Sequence, residues 1–327
     1  MYICTKQTLQ TLVLLFFMLF STTAYADKYV QRFSSLKFGT EEGLNSLRVF
    51  SIATDKSGAI WMGTLDGINR FNGRSMKSYQ LGTNQKLSDA SGSTTMLAIN
   101  PNNSLYAYNN VGQIYKYNLL TDQFELWLDL AEHIYMGLIL QHLLIDSQEQ
   151  LWIGLSTGLY CCRFGEMPQL IDSENHVTYI TELPQGIATG STCGLRIYSK
   201  DRVLLHKLCP GTYVQSLLVP SGSDTLLIGT FNSGIKSVNL NSWQEQATGA
   251  VTLPHTPIRS MIEMTPSTIL LGFDGDGVYT YNYLTGETEP LFTRANRMLT
   301  AMGVYSLCLD YEDNIWICLL YTSDAAD

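Results

Sequence analysis

The sequence predicts an all-β fold assembled from repeated four-stranded antiparallel sheets. Three observations predict it: a strand–turn–strand unit recurs along the chain, glycine and aspartate sit at its joints, and no segment holds a sustained helical period. The sharpest copy is Gly58-Ala59-Ile60-Trp61-Met62-Gly63-Thr64-Leu65-Asp66-Gly67-Ile68-Asn69-Arg70-Phe71. It reads as one strand, a tight turn and a second strand. An Asp-Lys-Ser-Gly turn from Asp55 to Gly58 precedes it, and a third apolar run, Val49 to Ala53, precedes that. Such a meander cannot bury both faces alone, so it needs neighbours.

The neighbours are copies of itself. Ile60-Trp61-Met62-Gly63-Thr64 returns as Leu151-Trp152-Ile153-Gly154-Leu155 and as Ile315-Trp316-Ile317. An aspartate stands six residues before each tryptophan: Asp55, Asp146 and Asp310. Weaker copies centre on Tyr106, Ala188, Leu227 and Leu270, with Asn100 and Glu182 at the aspartate position of the first two. The anchors are spaced by about 36 to 46 residues, the period of four-stranded propeller blades. A glycine then opens the next strand (Gly67, Gly112, Gly158, Gly194, Gly234, Gly277) and is expected to supply the positive φ of a hairpin. Seven such units predict a seven-bladed β-propeller.

The seventh unit stops short. After Ile317 the expected Gly-Thr is replaced by Cys318 to Asp327, so residues 318–327 are read as a non-native tail and the last blade as incomplete. The propeller is assigned to residues 27–317. Tyr29-Val30-Gln31-Arg32-Phe33 is the candidate outer strand by which one chain end completes the blade built by the other.

The remaining N-terminal residues, 1–26, read as a signal peptide. Lys6 gives a positive start, Leu12 to Phe20 an apolar run too short for a comfortable span, and Ala24-Tyr25-Ala26 a cleavage signal. An uncleaved anchor is the alternative. The mature chain is expected in the periplasm.

Across 327 residues the formal charge is -9, and no Lys/Arg cluster offers phosphate a basic face, which argues against nucleic acid as a partner. Seven cysteines in an exported chain invite a disulfide framework. Yet Cys161 and Cys162 are adjacent, and Cys193, Cys209 and Cys308 fall in or near apolar strands, so buried free thiols are expected. No C-x-x-C or C-x-x-H spacing suggests zinc, and no metal or other cofactor is expected.

No motif announces catalysis: G-x-S-x-G and H-E-x-x-H are both missing, and the five histidines are scattered. His142 falls on the inner strand of the third unit, where it faces the channel or simply hydrogen-bonds within the strand. Phe273-Asp274-Gly275-Asp276-Gly277 has the opening of a calcium loop without its later ligands, and a hairpin turn is the favoured reading. Trp61, Trp152 and Trp316 invite a sugar-stacking role, but their fixed place between apolar neighbours favours packing between blades. Asp55, Asp146 and Asp310 precede turns and are expected to bond their own backbone two residues on. With Gly63 and Gly154 they form the structural repeat. Ligand contacts are expected from the variable loops instead: Asn45, Arg48, Leu65, Asp66, Asn109, Asn110, Ser156, Thr157, Phe231, Asn232, Asp274 and Asp276. These suit a polar saccharide and equally suit solvated turns.

One pattern goes further. Gly43-Leu44 and Val49, then Asp55, Gly58, Ile60-Trp61 and Gly63-Thr64, then Gly67-Ile68 and Arg70-Phe71 resemble the two-component regulator propeller repeat. Asp146, Leu151-Trp152-Ile153-Gly154 and Gly158-Leu159-Tyr160 keep most of it, without the turn glycine. The resemblance implies the first periplasmic propeller of a hybrid two-component sensor of the Bacteroidetes type. Such sensors add a second propeller, a β-sandwich, one membrane span, and histidine kinase, receiver and DNA-binding domains. They detect glycan fragments and switch on polysaccharide-utilisation genes. The resemblance therefore implies an oligosaccharide ligand, a homodimeric full-length protein and membrane attachment through a downstream segment, with no catalysis in this chain. An exported propeller lyase or glycosidase, and a propeller used for protein docking, are the rivals.

Overall fold

The structure is a computed structural model and describes residues 1–6, 33–81, 94–134, 139–246, 253–295 and 298–320. These residues form seven four-stranded antiparallel sheets. The inner strands are Val49–Thr54, Thr95–Ile99, Leu140–Ile145, Val177–Leu183, Val214–Leu218, Ile258–Thr265 and Gly303–Leu309. Each lies beside the inner strand of the next sheet, and the last lies beside the first, so the sheets close into a propeller around a central channel. In six sheets the strands run outward in chain order.

The seventh sheet departs from the sequence reading. It holds Gly303–Leu309, Ile315–Leu320, Tyr2–Lys6 and Phe33–Lys37, in that order from the channel outward. It is therefore four-stranded, where the sequence predicts an incomplete blade. An unpaired strand edge takes up whichever extended segment can reach it, and here Tyr2–Lys6, from the stretch assigned to the signal peptide, pairs with Ile315–Ile317. The outer strand begins at Phe33, at the end of the expected Tyr29–Phe33 run, whose first four residues lie outside the described ones. Cys318 and Leu319 are buried within the second strand, which continues past Ile317. Residues 321–327 lie outside the described residues, as do Leu12–Phe20 and the Ala24–Ala26 cleavage signal. Among the described residues no helix is long and apolar enough to cross a membrane.

The repeat motif is explained by what its two carboxylate oxygens do. Oδ1 of Asp55 accepts the Ser57 and Ala59 amides at 2.8 and 3.2 Å, while Oδ2 accepts the Trp61 indole N–H at 2.6 Å. Asp146 holds the Gln148 and Gln150 amides and the Trp152 indole, each at 2.9 Å. Asp310 repeats this with Glu312, Asn314 and Trp316, the indole at 2.8 Å. The backbone bond two residues on is the one the sequence predicts. The indole bond is what the six-residue spacing adds: it pins the turn to the second strand.

Each indole then packs across to the next sheet. Trp61 lies against Leu105, Ala107, Tyr115 and Phe124, and Trp152 against Val177, Ile180, Ile187 and Tyr198. Trp316 lies against Leu44, Val49, Ile60 and Met62 of the first sheet, which closes the ring. All three are essentially inaccessible, so a sugar platform is excluded and inter-sheet packing stands. Each buries about 200 Å², on the order of 5 kcal/mol of gross hydrophobic stabilisation.

The motif glycine sets how closely the sheets approach. A Cβ on Gly63 would lie 2.3 Å from the Thr95 carbonyl oxygen, and one on Gly154 would lie 2.5 Å from Val177 Cγ1. Both obstacles are the first residue of the next inner strand. Gly67 serves the hairpin instead, with φ at +112°. The six described cysteines whose side chains are seen are unpaired, and burial pushes the Cys161 and Cys209 thiols up to about 12.

Two outcomes are expected. Gly63→Ala should cost about 1–3 kcal/mol in urea unfolding, because the colliding atom is backbone and cannot turn aside. Burial alone would raise the Asp55 carboxyl, but hydrogen bonds from Ser57, Trp61 and Ala59 outweigh it and hold it below its ordinary value. Its share of stability is therefore complete above about pH 4 and fades as pH falls further. Asp55→Asn should flatten that acid limb in a pH series of melting temperatures.

Candidate functional site at the channel mouth

Six of the seven inner strands carry a β-bulge one or two residues after their start. Pairing skips Phe50, Gln141, Thr178, Gln215, Arg259 and Tyr305. A bulge leaves its extra residue unpaired and re-aims the side chain. In five of these sheets the residue opposite the far side of the bulge is the motif glycine, and in the seventh it is Cys318. The second sheet has Tyr108 there and no bulge, with Met96 at the matching position. All seven of these inner-strand residues line one cavity of about 590 Å³ at the channel mouth.

The cavity wall is aromatic and polar. Phe231 stacks face to face on Tyr213 at 4.9 Å, and Phe50 meets Tyr305 edge-on at 5.7 Å. The Arg259 guanidinium lies 4.8 Å from the Tyr305 ring centre and pairs with Asp274 through Nε at 2.8 Å and Nη2 at 2.7 Å. Tyr108 and Tyr179 complete the wall, and burial raises both phenols, so they remain neutral donors.

Two wall residues carry a sealed polar atom with no hydrogen-bond partner among the described residues: Asn110 Oδ1 and His142 Nδ1. Leaving such an atom unpaired costs about 1–3 kcal/mol. The His142 ring keeps some surface open toward the bore and packs on Tyr179 at 4.2 Å, while Nδ1 itself is enclosed. Burial pushes the imidazole down to about 4, so it is neutral at pH 7. His142 thus faces the channel, and the strand leaves Nδ1 unbonded.

The twelve expected ligand residues sit on this one face, but the structure divides them. Asn110 and Phe231 reach the cavity, and Asp274 stands directly behind it through Arg259. Most of the others hold turns, Arg48 and Asp66 through their backbone atoms. Asn45 donates to the Asp66 carbonyl at 2.8 Å and accepts from Thr64, so the Asn45 side chain and the Asp66 backbone are spent on their hairpin. Ser156 donates its amide to the Ile139 carbonyl, and Thr157 is exposed in the adjoining turn. The Arg48 carbonyl accepts from Leu65, Asn109 exchanges bonds with Gln113, and Asn232 accepts from Ser233. Asp276 accepts from Thr256 at 2.6 Å, and with Gly275 at φ +120° the Asp274–Asp276 segment is a hairpin turn. Among the described residues no cluster of three or more His, Cys, Asp or Glu is placed to hold a metal.

Sequence reasoning looked for recognition in loops and missed the bulge positions. A signal was available: in six of the repeats the residue in question directly follows the one that opens the inner strand, and in the seventh it is one place later. A second cavity, of about 880 Å³, opens between the second and third sheets near their turns at the other end. There Trp127 stacks on Phe164 at 5.3 Å, beside the exposed Leu119 and Leu120.

Residues 43–66 match the family described as two component regulator propeller. No curated protein matches the chain by sequence. Among solved structures, the extracellular domain of BT3049, an inferred hybrid two component system of B. thetaiotaomicron, is similar with TM-score 0.69 and 18% identity over 87% of this chain and 40% of that one. The extracellular domain of BT4673 from the same organism, also an inferred hybrid two component system, gives 0.63 and 22% over 84% and 37%. The computationally designed protein Ika8 gives 0.56 and 13% over 84% and 96%. At these identities the likeness is one of fold, and the chain spans about two-fifths of the two natural structures.

The depressed His142 value has a direct consequence. The unfolded chain binds a proton that the folded one does not between about pH 6.5 and pH 4. Stability should therefore fall as pH drops through that window, and His142→Leu should remove this part of the slope in thermal melts recorded between pH 7 and pH 4.5.

Proposed function

We propose that this chain is the N-terminal sensing propeller of a two-component signalling protein in the periplasm, exported by the leader over residues 1–26. It binds glycan fragments at the channel mouth and takes part in controlling polysaccharide-utilisation genes. The observation that carries the reading is the regulator-type repeat at residues 43–66 within a fold shared with extracellular sensor domains. The aromatic and amide wall of the cavity supports a saccharide ligand, since aromatic faces cover the C–H face of a sugar while amides take its hydroxyls.

Catalysis is no part of this chain's role. Among the described residues, the carboxylate behind the cavity, Asp274, is paired with Arg259, which fits a binding role better than acid–base work. In the full-length protein, kinase activity would reside in downstream domains beyond an inner-membrane span. Ligand binding would shift the relative placement of two subunits of a homodimer. A second reading, protein docking, is favoured by one observation: Leu119, Leu120 and Phe164 are 76%, 97% and 73% exposed around the second cavity.

The decisive experiment is to sequence the source DNA beyond the codon for Ile317. Further propeller repeats, a membrane span and a histidine kinase are the expected outcome, and a stop codon after one propeller would overturn the sensor reading. N-terminal sequencing of exported protein should begin at Asp27. In that mature form the third position of the seventh sheet no longer belongs to Tyr2–Lys6.

A further inference from the structure

We infer that the channel mouth takes one uncharged, polyhydroxylated ring, the terminal neutral sugar residue of an oligosaccharide, held between an apolar arc and a polar arc set by the bulge-position residues. The inference rests on the glycan-sensing reading and narrows it to neutral chain ends.

Three observations carry it. Among the bulge-position residues and their Met96 counterpart, Tyr305, Phe50 and Met96 come from the seventh, first and second sheets, so the apolar ones are contiguous. The stacked Tyr213 and Phe231 add an aromatic patch at the fifth sheet. Gln141, Thr178, Gln215 and Arg259 come from the third to sixth sheets, so the polar ones are contiguous too. A pyranose has the same division, with C–H bonds on a face and hydroxyls around the rim. The apolar arc offers surface to the face, and the amides and guanidinium offer donors and acceptors to the rim.

The described lining residues also carry no unmatched charge. Asp274 compensates Arg259 at 2.7 Å, and the His142 imidazole is neutral. A uronate or sulfated ring entering this site would shed its hydration and find, among the described lining residues, no cation other than the Asp274-paired Arg259, a loss that charged groups do not recover without a partner. A hydroxylated ring has no such loss.

Finally, Asn110 and His142 each hold a sealed, unpartnered polar atom at the wall, two of the four such side-chain atoms among the described residues, the others being on Arg70 and Asn175. Hydroxyls donate and accept alike, so a sugar can satisfy both atoms once the two side chains turn toward it. The closed sides of the bore admit a ligand along its axis, which favours a chain end over a chain interior. At about 590 Å³ the cavity lies within the usual span of small-molecule sites, about 300–1,000 Å³.

The test combines titration calorimetry with thermal melts on the full chain. The probes are cellobiose, maltose and galactobiose, each compared with a disaccharide ending in glucuronate. At least one neutral probe should bind about tenfold or more tightly than the glucuronate probe. Phe50→Ala and Gln141→Ala, one on each arc, should each weaken it by about tenfold with unchanged melting temperature for Gln141→Ala. His142→Leu should weaken binding yet raise the melting temperature of the unliganded protein by about 2 °C, because it removes an unpaired polar atom.

Preference for the glucuronate probe, or neutral binding that survives both arc substitutions, would overturn the inference and leave the sensing reading in place. A lowered melting temperature for His142→Leu would also overturn it, since the imidazole would then be partnered in the fold. Failure of every saccharide to bind would overturn both this inference and the glycan ligand of the broader reading.

Discussion

The fold depends on a hydrogen bond that joins two jobs in one carboxylate. In Asp55, Asp146 and Asp310 one oxygen shapes the turn through two amides and the other holds the indole six residues later. A buried indole N–H needs an acceptor, and a turn before a strand needs its amides covered. Meeting both needs with one side chain fixes the indole's orientation, and the indole then presents its ring to the neighbouring sheet. The glycine two residues after the tryptophan lets that neighbour come within reach. Local turn chemistry and long-range packing are thus set by five or six positions per repeat.

Those positions are why so much of the fold is legible in the sequence. A period near 40 residues, an Asp–Trp spacing and a hairpin glycine lead directly to four-stranded sheets in a ring. The weak copies show how far the signal can erode. Asn100 still caps its turn through Ser104 at 2.7 Å, though Tyr106 stands where an indole would need its second oxygen. Glu182, at the same position in the fourth repeat, has left that role and pairs with Lys200 and Ser147 instead. The seventh sheet takes its third strand, Tyr2–Lys6, from outside the repeats, because strand pairing answers to an open edge and not to a repeat. Nothing in Tyr2–Lys6 marks it as part of a pattern that begins at residue 43.

The site was less legible, for a physical reason. Loop position is a guide to location, and Asn45, Asn109 and Asp276 lie at the channel-mouth end of their sheets. But short polar side chains in tight turns are consumed by their own backbone or close neighbours, and sequence does not say which. Asn110 and Asn109 are adjacent, yet one closes a turn and the other faces the cavity with its oxygen unpaired. The bulge residues escape notice because they sit inside strands, where alternation predicts burial. Only the skipped register reveals that an extra residue has been turned toward the bore.

Closure of the ring changes the arithmetic of the whole assembly. A row of seven sheets has six interfaces, whereas the closed ring formed by Trp316 against the first sheet has seven, and no sheet is terminal. In an open array the end units fray independently, each losing contact with one neighbour. In a closed one, loosening any unit breaks two seams at once, so the sheets stand or fall together. The seam between the last sheet and the first is therefore what makes a chain of repeats behave as a single cooperative body.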